Sequence, residues 1–286
     1  MQSFHHSRHY SFRADANALG GFLEEPLQKD IPTLAPVSLP PVGGFATARS
    51  SAFNLDEIVS CSSAYTRVTG REHHADGSVS ISAAAVVEDL NLLEVVTARR
   101  VVAQVSIFVP VGSTELQISF AGSRFEGLQL AGCDNPPTMN STLSPPGGGL
   151  GGTPDGEPAG PGLPLTWQDI QGAGRSQAEK LIDDFKERGE KDAYQWALKR
   201  HGWMTSDPPP GHGGSLLCSL VDGFGEESNA PSGHIVEIPG FGRIFLAEVR
   251  VSRNSVQLVA IRAELGCPVT GKISICSGGG GGTGDH

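Results

Sequence analysis

Two stretches, VSISAAAVV at residues 79–87 and VVAQVSIFV at residues 101–109, decide the fold class of this chain. Their apolar residues recur at every second position: Val79, Ile81, Ala83, Ala85 and Val87 in the first, and Val101, Ala103, Val105, Ile107 and Val109 in the second. Successive side chains of a strand point to opposite faces of its sheet, so this period predicts two β-strands, each with one buried face. No helical pattern stands between them to carry a parallel crossover, so we expect the strands to be antiparallel.

Similar patterns on both sides extend the predicted sheet. LQISF at residues 116–120 and GLQLAG at residues 127–132 follow the first two strands, with turn sequences at 75–77 and 111–113. Residues 233–252 and 255–265 predict a hairpin around SRNS. Phe245, Ala247, Val249 and Val251 would share one face of it, opposite Val256, Leu258 and Ala260. Short strands separated by turns are typical of an antiparallel sandwich or barrel, so the predicted fold is mainly β.

Length, composition and charge limit the number of domains and the kinds of partner that this chain can have. A chain of 286 residues with 38 glycines and 20 prolines suits one large β domain, or two smaller ones, with many turns. The formal net charge of −10 argues against a nucleic-acid partner, because phosphate binding needs clustered Lys and Arg. No apolar run approaches the roughly 18 residues of a membrane span, so none is expected.

The N-terminus carries no leader pattern. Residues 1–21 lack the apolar core that a signal peptide requires. We therefore expect a cytoplasmic protein, one exported without a cleaved leader, or one whose leader lies upstream of residue 1. The sequence leaves the localisation open.

One region, SQAEKLIDDFKERGEKDAYQWALKRHGW at residues 176–203, predicts helix instead of strand. Ser176 and Glu179 form a capping-box pattern, and Gly189 suits the left-handed position that ends a helix. The apolar residues Ala178, Leu181, Ile182 and Phe185 form one stripe. A second helix then ends in basic residues 199–201, which is favourable against the helix dipole. The sequence predicts a helical hairpin inserted into a β domain.

The predicted organisation has six segments. They are a polar N-terminal lead with the first strand (1–29), the N-terminal portion of the β domain (30–132), a Pro/Gly-rich linker (133–164), the helical hairpin insert (165–204), the C-terminal portion of the β domain (205–276) and a flexible Gly-rich tail (277–286).

The aromatic end of the hairpin is the best contact candidate. Tyr194, Trp196, Arg200 and Trp203 combine two of the three tryptophans of the chain with an arginine. Such residues commonly anchor protein interfaces, so they predict a protein partner or self-association through the insert. The alternative is that they only dock the hairpin onto the β domain.

Histidines and cysteines supply weaker candidates. His5, His6 and His9 are closely spaced and could bind a metal, or they belong to a polar terminus. Cys218 with His212 or His234 could form a Cys–His pair, against the alternative of a small buried cysteine in a strand. GGGLGG at residues 147–152 lacks the Lys-Ser/Thr of a phosphate-binding loop, so no cofactor is expected.

A disulfide is a further candidate. A two-residue turn at Gly271 and Lys272 would place Cys267 opposite Cys276 in a pair where side chains approach closely. Pro268 argues against this register, because proline removes a ladder donor. The alternative is two unrelated buried thiols.

The β segments resemble the choice-of-anchor P family of bacterial surface proteins. The resemblance is carried by VSLPPVGGFATARSSAFNL, by the Ser/Ala/Val-rich strands of residues 77–106, by GSRFEGLQLAG and by the hairpin of residues 236–265. It covers about residues 10–132 and 233–265. It implies a β-rich domain of unknown biochemical role, often exported and attached to the envelope, and it transfers no functional residues.

Two function classes follow from these patterns. The first is a non-enzymatic structural or binding β domain, envelope-associated or self-assembling, because no catalytic motif stands out. The alternative is a hydrolase with a Cys/His site between the insert and the sheet, using Cys218, His212 or His234. Exposure of the Cys218 thiol within reach of a histidine discriminates between them.

Overall fold

The structure, a computed structural model, describes residues 10–73, 75–113, 115–133, 135–144, 164–211, 213–225, 233–266 and 269–284. Strands make up 55% of the described residues and helices 15%, which confirms a mainly β protein. The sheets are antiparallel and are not closed into a barrel, so the fold is sandwich-like.

The elements are numbered in chain order. The strands are β1 (Tyr10–Leu23), β2 (Lys29–Leu34), β3 (Val37–Ser38), β4 (Gly44–Ser50), β5 (Phe53–Leu55), β6 (Val59–Cys61), β7 (Ser63–Glu72), β8 (Val79–Leu92), β9 (Val96–Val109), β10 (Gln117–Ser119), β11 (Arg124–Glu126), β12 (Gln129–Leu130), β13 (Pro137–Met139), β14 (Ser215–Ser219), β15 (Val221–Phe224), β16 (Ile235–Ile238), β17 (Gly242–Ser252), β18 (Ser255–Leu265) and β19 (Gly271–Gly284). The helices are α1 (Trp167–Glu187) and α2 (Lys191–His201), followed by a 3-10 turn at Gly202–Thr205.

Two large sheets form the sandwich. The first sheet has the order β14-β17-β18-β19-β1-β2, with β16 also on β17 and β3 also on β1. In the second sheet β4, β7, β8 and β9 are neighbours, β10, β11 and β12 pair with β9, and β5 and β6 continue beside β8. A small third sheet joins β13 to β15. Strands β1, β18 and β19 pack on β7, β8 and β9.

The inner faces of β8 and β9 follow the predicted period. Val79, Ile81, Ala83, Ala85 and Val87 are all buried, and so are the corresponding residues of β9 up to Ile107. Burying one face of each strand between two sheets removes apolar surface from water, which is the main stabilisation of a sandwich.

The Gly-rich segment 277–284 is a strand, so the predicted flexible tail is wrong. It forms the second half of β19 and pairs with β1 on one edge and, as far as Gly281, with β18 on the other. A Cβ on Gly278 would lie 3.4 Å from the Ala83 Cβ, and one on Gly280 would lie 3.0 Å from Ile81 Cγ2. The two sheets approach so closely here that only glycine fits without displacement.

A residue with left-handed backbone changes the predicted face pattern of β17. Ala247 has a φ of 47° and is not paired with β18, although the register is the same on both sides of it, with Leu246↔Ile261 before and Glu248↔Val259 after. Phe245 therefore packs against the helices, whereas Val249 and Val251 point into the sandwich. The prediction that these three residues share one face is wrong, because the left-handed backbone of Ala247 interrupts the alternation, so that Leu246 and Ala247 both lie on the core side.

Helix α1 begins nine residues before the predicted capping box. Thr166 and Asp169 form the capping box that is present, and Ser176 and Glu179 lie inside the helix. The predicted end is confirmed. Gly189 has a φ of 72°, and the Glu190 N–H donates to the Phe185 carbonyl, as in a Schellman motif.

The helical hairpin covers the first sheet instead of standing apart from it. The Gln177 amide accepts from the Ser219 N–H at 2.8 Å and donates to the Ser219 carbonyl at 2.9 Å. It thereby satisfies the free edge of β14, a common way to protect an edge strand. Ile170, Ala178 and Met204 belong to the main hydrophobic core. The insert is therefore part of the same packed body as the sandwich.

Two glycines of α1 provide a test of this contact. A Cβ on Gly174 would lie 2.8 Å from the Leu217 carbonyl, whereas one on Gly172 would meet nothing within 4 Å. We expect Gly172→Ala to stabilise the protein by up to about 1 kcal/mol, through better helix propensity. Gly174→Ala should destabilise it by about 1–3 kcal/mol, because the helix must move away from β14. Chemical denaturation of both variants checks the sign of each change; equal effects would contradict the docking.

Candidate functional site

Helix α2 presents its predicted contact residues to the first sheet. Tyr194 and Trp196 pack in a second hydrophobic cluster with Phe245. The Trp196 ring lies 6.1 Å from the Phe245 ring, and the Arg243 guanidinium lies 4.5 Å from the Trp196 centroid. Two of the four predicted binding residues, Tyr194 and Trp196, therefore dock the hairpin onto the sheet, which was the alternative interpretation.

Arg200 is held in a buried ionic cluster around Glu248. The Arg200 Nη2 donates to Glu248 Oε1 at 2.5 Å, and the Arg262 Nε donates to Glu248 Oε2 at 2.8 Å. Arg262 also donates to Glu264. The guanidinium groups of Arg200 and Arg262 lie 4.9 Å and 3.6 Å from the Phe245 centroid. Burial alone would raise the pKa of Glu248, but the neighbouring charges, that of Arg262 first, hold this pKa below its ordinary value.

Two buried histidines border this cluster. The His201 and His234 rings lie 6.1 Å apart, and His234 Nε2 is 4.0 Å from Glu248 Oε1. Burial lowers the pKa of His201 to about 3 and that of His234 to about 4, and Arg200 adds to both shifts. Both imidazoles are therefore neutral at physiological pH. A base with so low a pKa is poorly matched to proton abstraction near pH 7.

Cys218 lies under α1, out of reach of solvent. It is 2% exposed, and a Cβ on Gly174 would lie 3.4 Å from the Cys218 Cβ. Burial raises the pKa of its thiol to about 12. Because the thiolate is the nucleophile, these properties argue against a Cys218-based hydrolase. His212 lies outside the described residues.

The predicted disulfide rests on a turn that the structure does not contain. Gly271 and Lys272 lie within β19 and pair with Leu265 and Glu264. Cys276 is a free, buried thiol whose Sγ donates to the Val101 carbonyl at 3.4 Å. Cys267 lies outside the described residues. The hairpin connection falls before Gly271, so counting outward from Gly271 used the wrong register.

The candidate metal ligands His5, His6 and His9 also lie outside the described residues. Within the described ranges, no group of three His, Cys, Asp or Glu side chains is arranged to hold a metal ion. No helix in the described part of the chain is long and apolar enough to cross a membrane.

Trp203 is the predicted contact residue that remains at the surface. It is 39% exposed, and its indole Nε1 donates to the Arg200 carbonyl at 2.8 Å, which fixes the ring. It borders a groove of roughly 380 Å³ lined by Arg200, Trp203, Ser215, Leu216, Leu217 and Arg250. Arg250 is exposed and makes no ion pair with the described residues.

A second cleft lies beside His234, between α1 and β15. Its volume is roughly 390 Å³, and Ser176, Lys180, Asp222 and His234 are among its lining residues. Asp222 Oδ1 accepts from Asn140 Nδ2 at 2.7 Å and from Gln177 Nε2 at 3.0 Å. The carboxylate is thereby used to hold α1 and the segment after β13 in place.

No pattern in the sequence predicts the cluster that contains Glu248, Arg262 and His201. Glu248 stands in FLAEVRV, where a carboxylate beside the run FLA breaks the expected order of buried and exposed positions. That break is a local sign of the interrupted alternation at Ala247. Nothing local indicates its partners, because Arg200 and Arg262 come from α2 and β18.

Comparison with known proteins gives one match. No protein of curated function and no solved structure matches this chain. A family model described as a domain of unknown function (DUF8256) matches residues 9–252, which include the second sheet, the helical hairpin and the first sheet except β18 and β19. The chain therefore belongs to the DUF8256 family.

Proposed function

We propose that this chain is a non-enzymatic binding domain that self-associates, with the Trp203 groove of one copy holding an acidic surface of a second copy. The observation that carries the proposal is Trp203 itself, an exposed aromatic ring fixed by its own indole N–H beside Arg250. Rigid aromatic and arginine side chains around a pocket are the usual anchors of protein contacts.

Charge supports a second copy as the occupant. The chain has a formal net charge of −10, whereas the groove contains Arg250 with no described carboxylate partner. The exposed carboxylates of Asp183, Glu187 and Glu190 lie at the turn of the hairpin, among the exposed basic residues 186, 188 and 191, and are the acidic groups that a second copy would offer. Complementary potentials favour encounter between such surfaces, and added salt weakens it.

The histidine and cysteine geometry also supports a binding role over hydrolysis. The thiol of Cys218 is buried and its pKa is about 12, and His234 is buried with a pKa of about 4. Neither side chain is prepared for nucleophilic catalysis. Attachment to the cell envelope, implied by the resemblance to choice-of-anchor P proteins, belongs to the same proposal and would be tested by fractionating cells that produce the protein.

Sedimentation velocity over a micromolar to millimolar concentration series tests self-association. We expect the mass of the full chain to rise with concentration and the rise to diminish at high salt. Trp203→Ala should weaken association by about 30-fold, as for a typical interface anchor.

Matched variants make this test specific. Phe22→Ala removes an aromatic ring of similar exposure from β1 and should leave association unchanged. Arg250→Glu should weaken association, whereas Arg13→Glu on β1 makes the same charge change away from the groove. A chain that stays monomeric at every concentration, or equal losses for Trp203→Ala and Phe22→Ala, would overturn the proposal.

A further inference from the structure

The outer face of the second sheet carries an arginine and aromatic surface where β4 pairs with β7. Phe45 lies opposite Thr69, Thr47 opposite Arg67, and Arg49 opposite Tyr65. Directly opposite residues share a face, and Arg71 lies two residues beyond Thr69 on that face. The opposite face is the core side, where Ala46, Ala48 and Val68 pack.

The arginines of this surface are not neutralised. The Arg67 guanidinium lies 5.0 Å from the Phe45 ring centroid, and the Arg49 guanidinium lies 5.9 Å from that of Tyr65. Among the described residues, Arg49, Arg67 and Arg71 make no ion pair, and the buried Nε of Arg67 has no hydrogen-bond partner. Three unpaired arginines on one face are unusual in a chain of net charge −10.

Neighbouring arginines of the same sheet behave differently. Arg100 pairs with Glu88 at 3.3 Å, and Arg124 pairs with Glu126 at 2.7 Å. These two arginines of the sheet therefore have carboxylate partners, whereas no described carboxylate pairs with the arginines of β4 and β7. The guanidinium of Arg67 is stacked over Phe45, and its Nη groups, unlike the buried Nε, can donate to an incoming carboxylate or other planar anion.

Strand β4 is also an open edge. It pairs with β7 alone among the described strands, and most of its residues are exposed. Its sequence GFATARS contains no proline and no lysine, the residues that commonly protect an edge. An edge of this kind offers backbone N–H and C=O groups to an added strand.

We propose that β4 accepts an extended acidic polypeptide segment as an added strand, with carboxylates at alternate residues meeting Arg67, Arg49 and Arg71. Same-face residues of a strand are about 7 Å apart, so one alternating acidic strand meets the arginine surface along its length. Backbone hydrogen bonds supply affinity in this mode, and the alternate side chains supply specificity.

Other occupants fit less well. A second copy of β4 has no carboxylate between Gly44 and Ser50 to offer to the arginines. A nucleic acid would need open aromatic faces for stacking bases, whereas the rings of Phe45 and Tyr65 carry arginines. Phosphates could accept from the free N–H groups of β4 but have no donor for its free C=O groups, whereas an added strand pairs with both.

A labelled peptide of alternating threonine and glutamate, as long as β4, tests the proposal by fluorescence anisotropy with the full chain. We expect saturable binding that weakens with salt, and no binding of the matching threonine–lysine peptide. Arg67→Glu should weaken binding by more than about tenfold, because it reverses a charge at the contact. The Arg13→Glu variant changes an exposed arginine of the first sheet and should bind the peptide as the native chain does.

Two further peptides separate strand addition from simple charge attraction. One is N-methylated at its odd residues and the other at its even residues, and an added strand uses only one of these two sets of amides. We expect one methylated peptide to lose binding and the other to keep it. Trp203→Ala should bind the peptide normally, so the outcome is independent of the self-association test.

The proposal is overturned by absent binding, by equal loss in Arg67→Glu and Arg13→Glu, or by equal binding of the two methylated peptides. Tighter binding of a single-stranded oligonucleotide would indicate a nucleic-acid surface instead. Circular dichroism and thermal melting confirm that each variant is folded before it is used.

Discussion

Removing residues 277–286 should abolish the cooperative folding of this protein. Residues 277–284 pair with β1 along one edge, and residues 277–281 pair with β18 along the other. The truncation would leave both neighbours with open edges in the middle of the first sheet. At about 1 kcal/mol for each backbone hydrogen bond, the loss is on the order of 10 kcal/mol, comparable with the whole stability of a domain.

Thermal and denaturant unfolding, followed by circular dichroism, measures this effect. The control ends the chain at Gly284 and keeps the whole of β19, so it should unfold like the full chain. Gly280→Val in the full chain keeps the strand but places side-chain atoms against Ile81 and Ile107, and should also destabilise strongly. A truncated protein with a native transition would show that these glycines are a dispensable tail.

Acidification from pH 7.5 to 5 should destabilise the protein by on the order of 4 kcal/mol, through two histidines. The folded-state pKa values of His201 and His234 are about 3 and about 4, below the ordinary histidine value near 6.5. At a pH between the folded-state and the ordinary pKa values, both histidines bind a proton in the unfolded chain and remain neutral in the folded protein. The stabilisation that depends on these two neutral histidines is therefore fully present above about pH 6.5 and is lost as the pH falls.

The surroundings of the histidines explain this direction. Burial is the main cause for both, and Arg200 and Arg262 oppose a positive charge on His234, while Glu248 and Asp222 favour it. The lowered pKa of Glu248 adds to the acid sensitivity only when the pH falls to the ordinary pKa of a glutamate or below. There the Glu248 carboxylate takes up a proton on unfolding.

The slope of unfolding free energy against pH near pH 5 checks the prediction. We expect an uptake of about two protons on unfolding in this region. His201→Gln and His234→Gln should each remove about one of them, whatever their effect on absolute stability. His73→Gln, at an exposed site beside β7, is the matched control for the substitution itself. If His201→Gln and His234→Gln both kept the slope of the native chain, the acid sensitivity would come from other groups.

Local sequence alone determined the parts of this fold whose cause lies within a few residues. The alternation of VSISAAAVV and VVAQVSIFV specifies strands, because one buried face requires a period of two. Gly189 ends α1 because its left-handed backbone suits glycine. The stripe from Ala178 to Phe185 specifies the buried face of α1, and all four of its residues are buried.

Tertiary structure decided the features whose partners are distant in the chain. SGGGGG reads locally as a flexible tail, and it is a strand only because Tyr10 and its neighbours, some 270 residues away, pair with it. The left-handed backbone of Ala247 interrupted the alternation of β17, which put Phe245 against the helices and Glu248 beneath α2, beside Arg200 and Arg262. The surface of Arg67 and Arg49 likewise depends on the register of β4 against β7. Pairing and register arise from the packing of whole sheets, so neither periodicity nor composition of a single segment contains them.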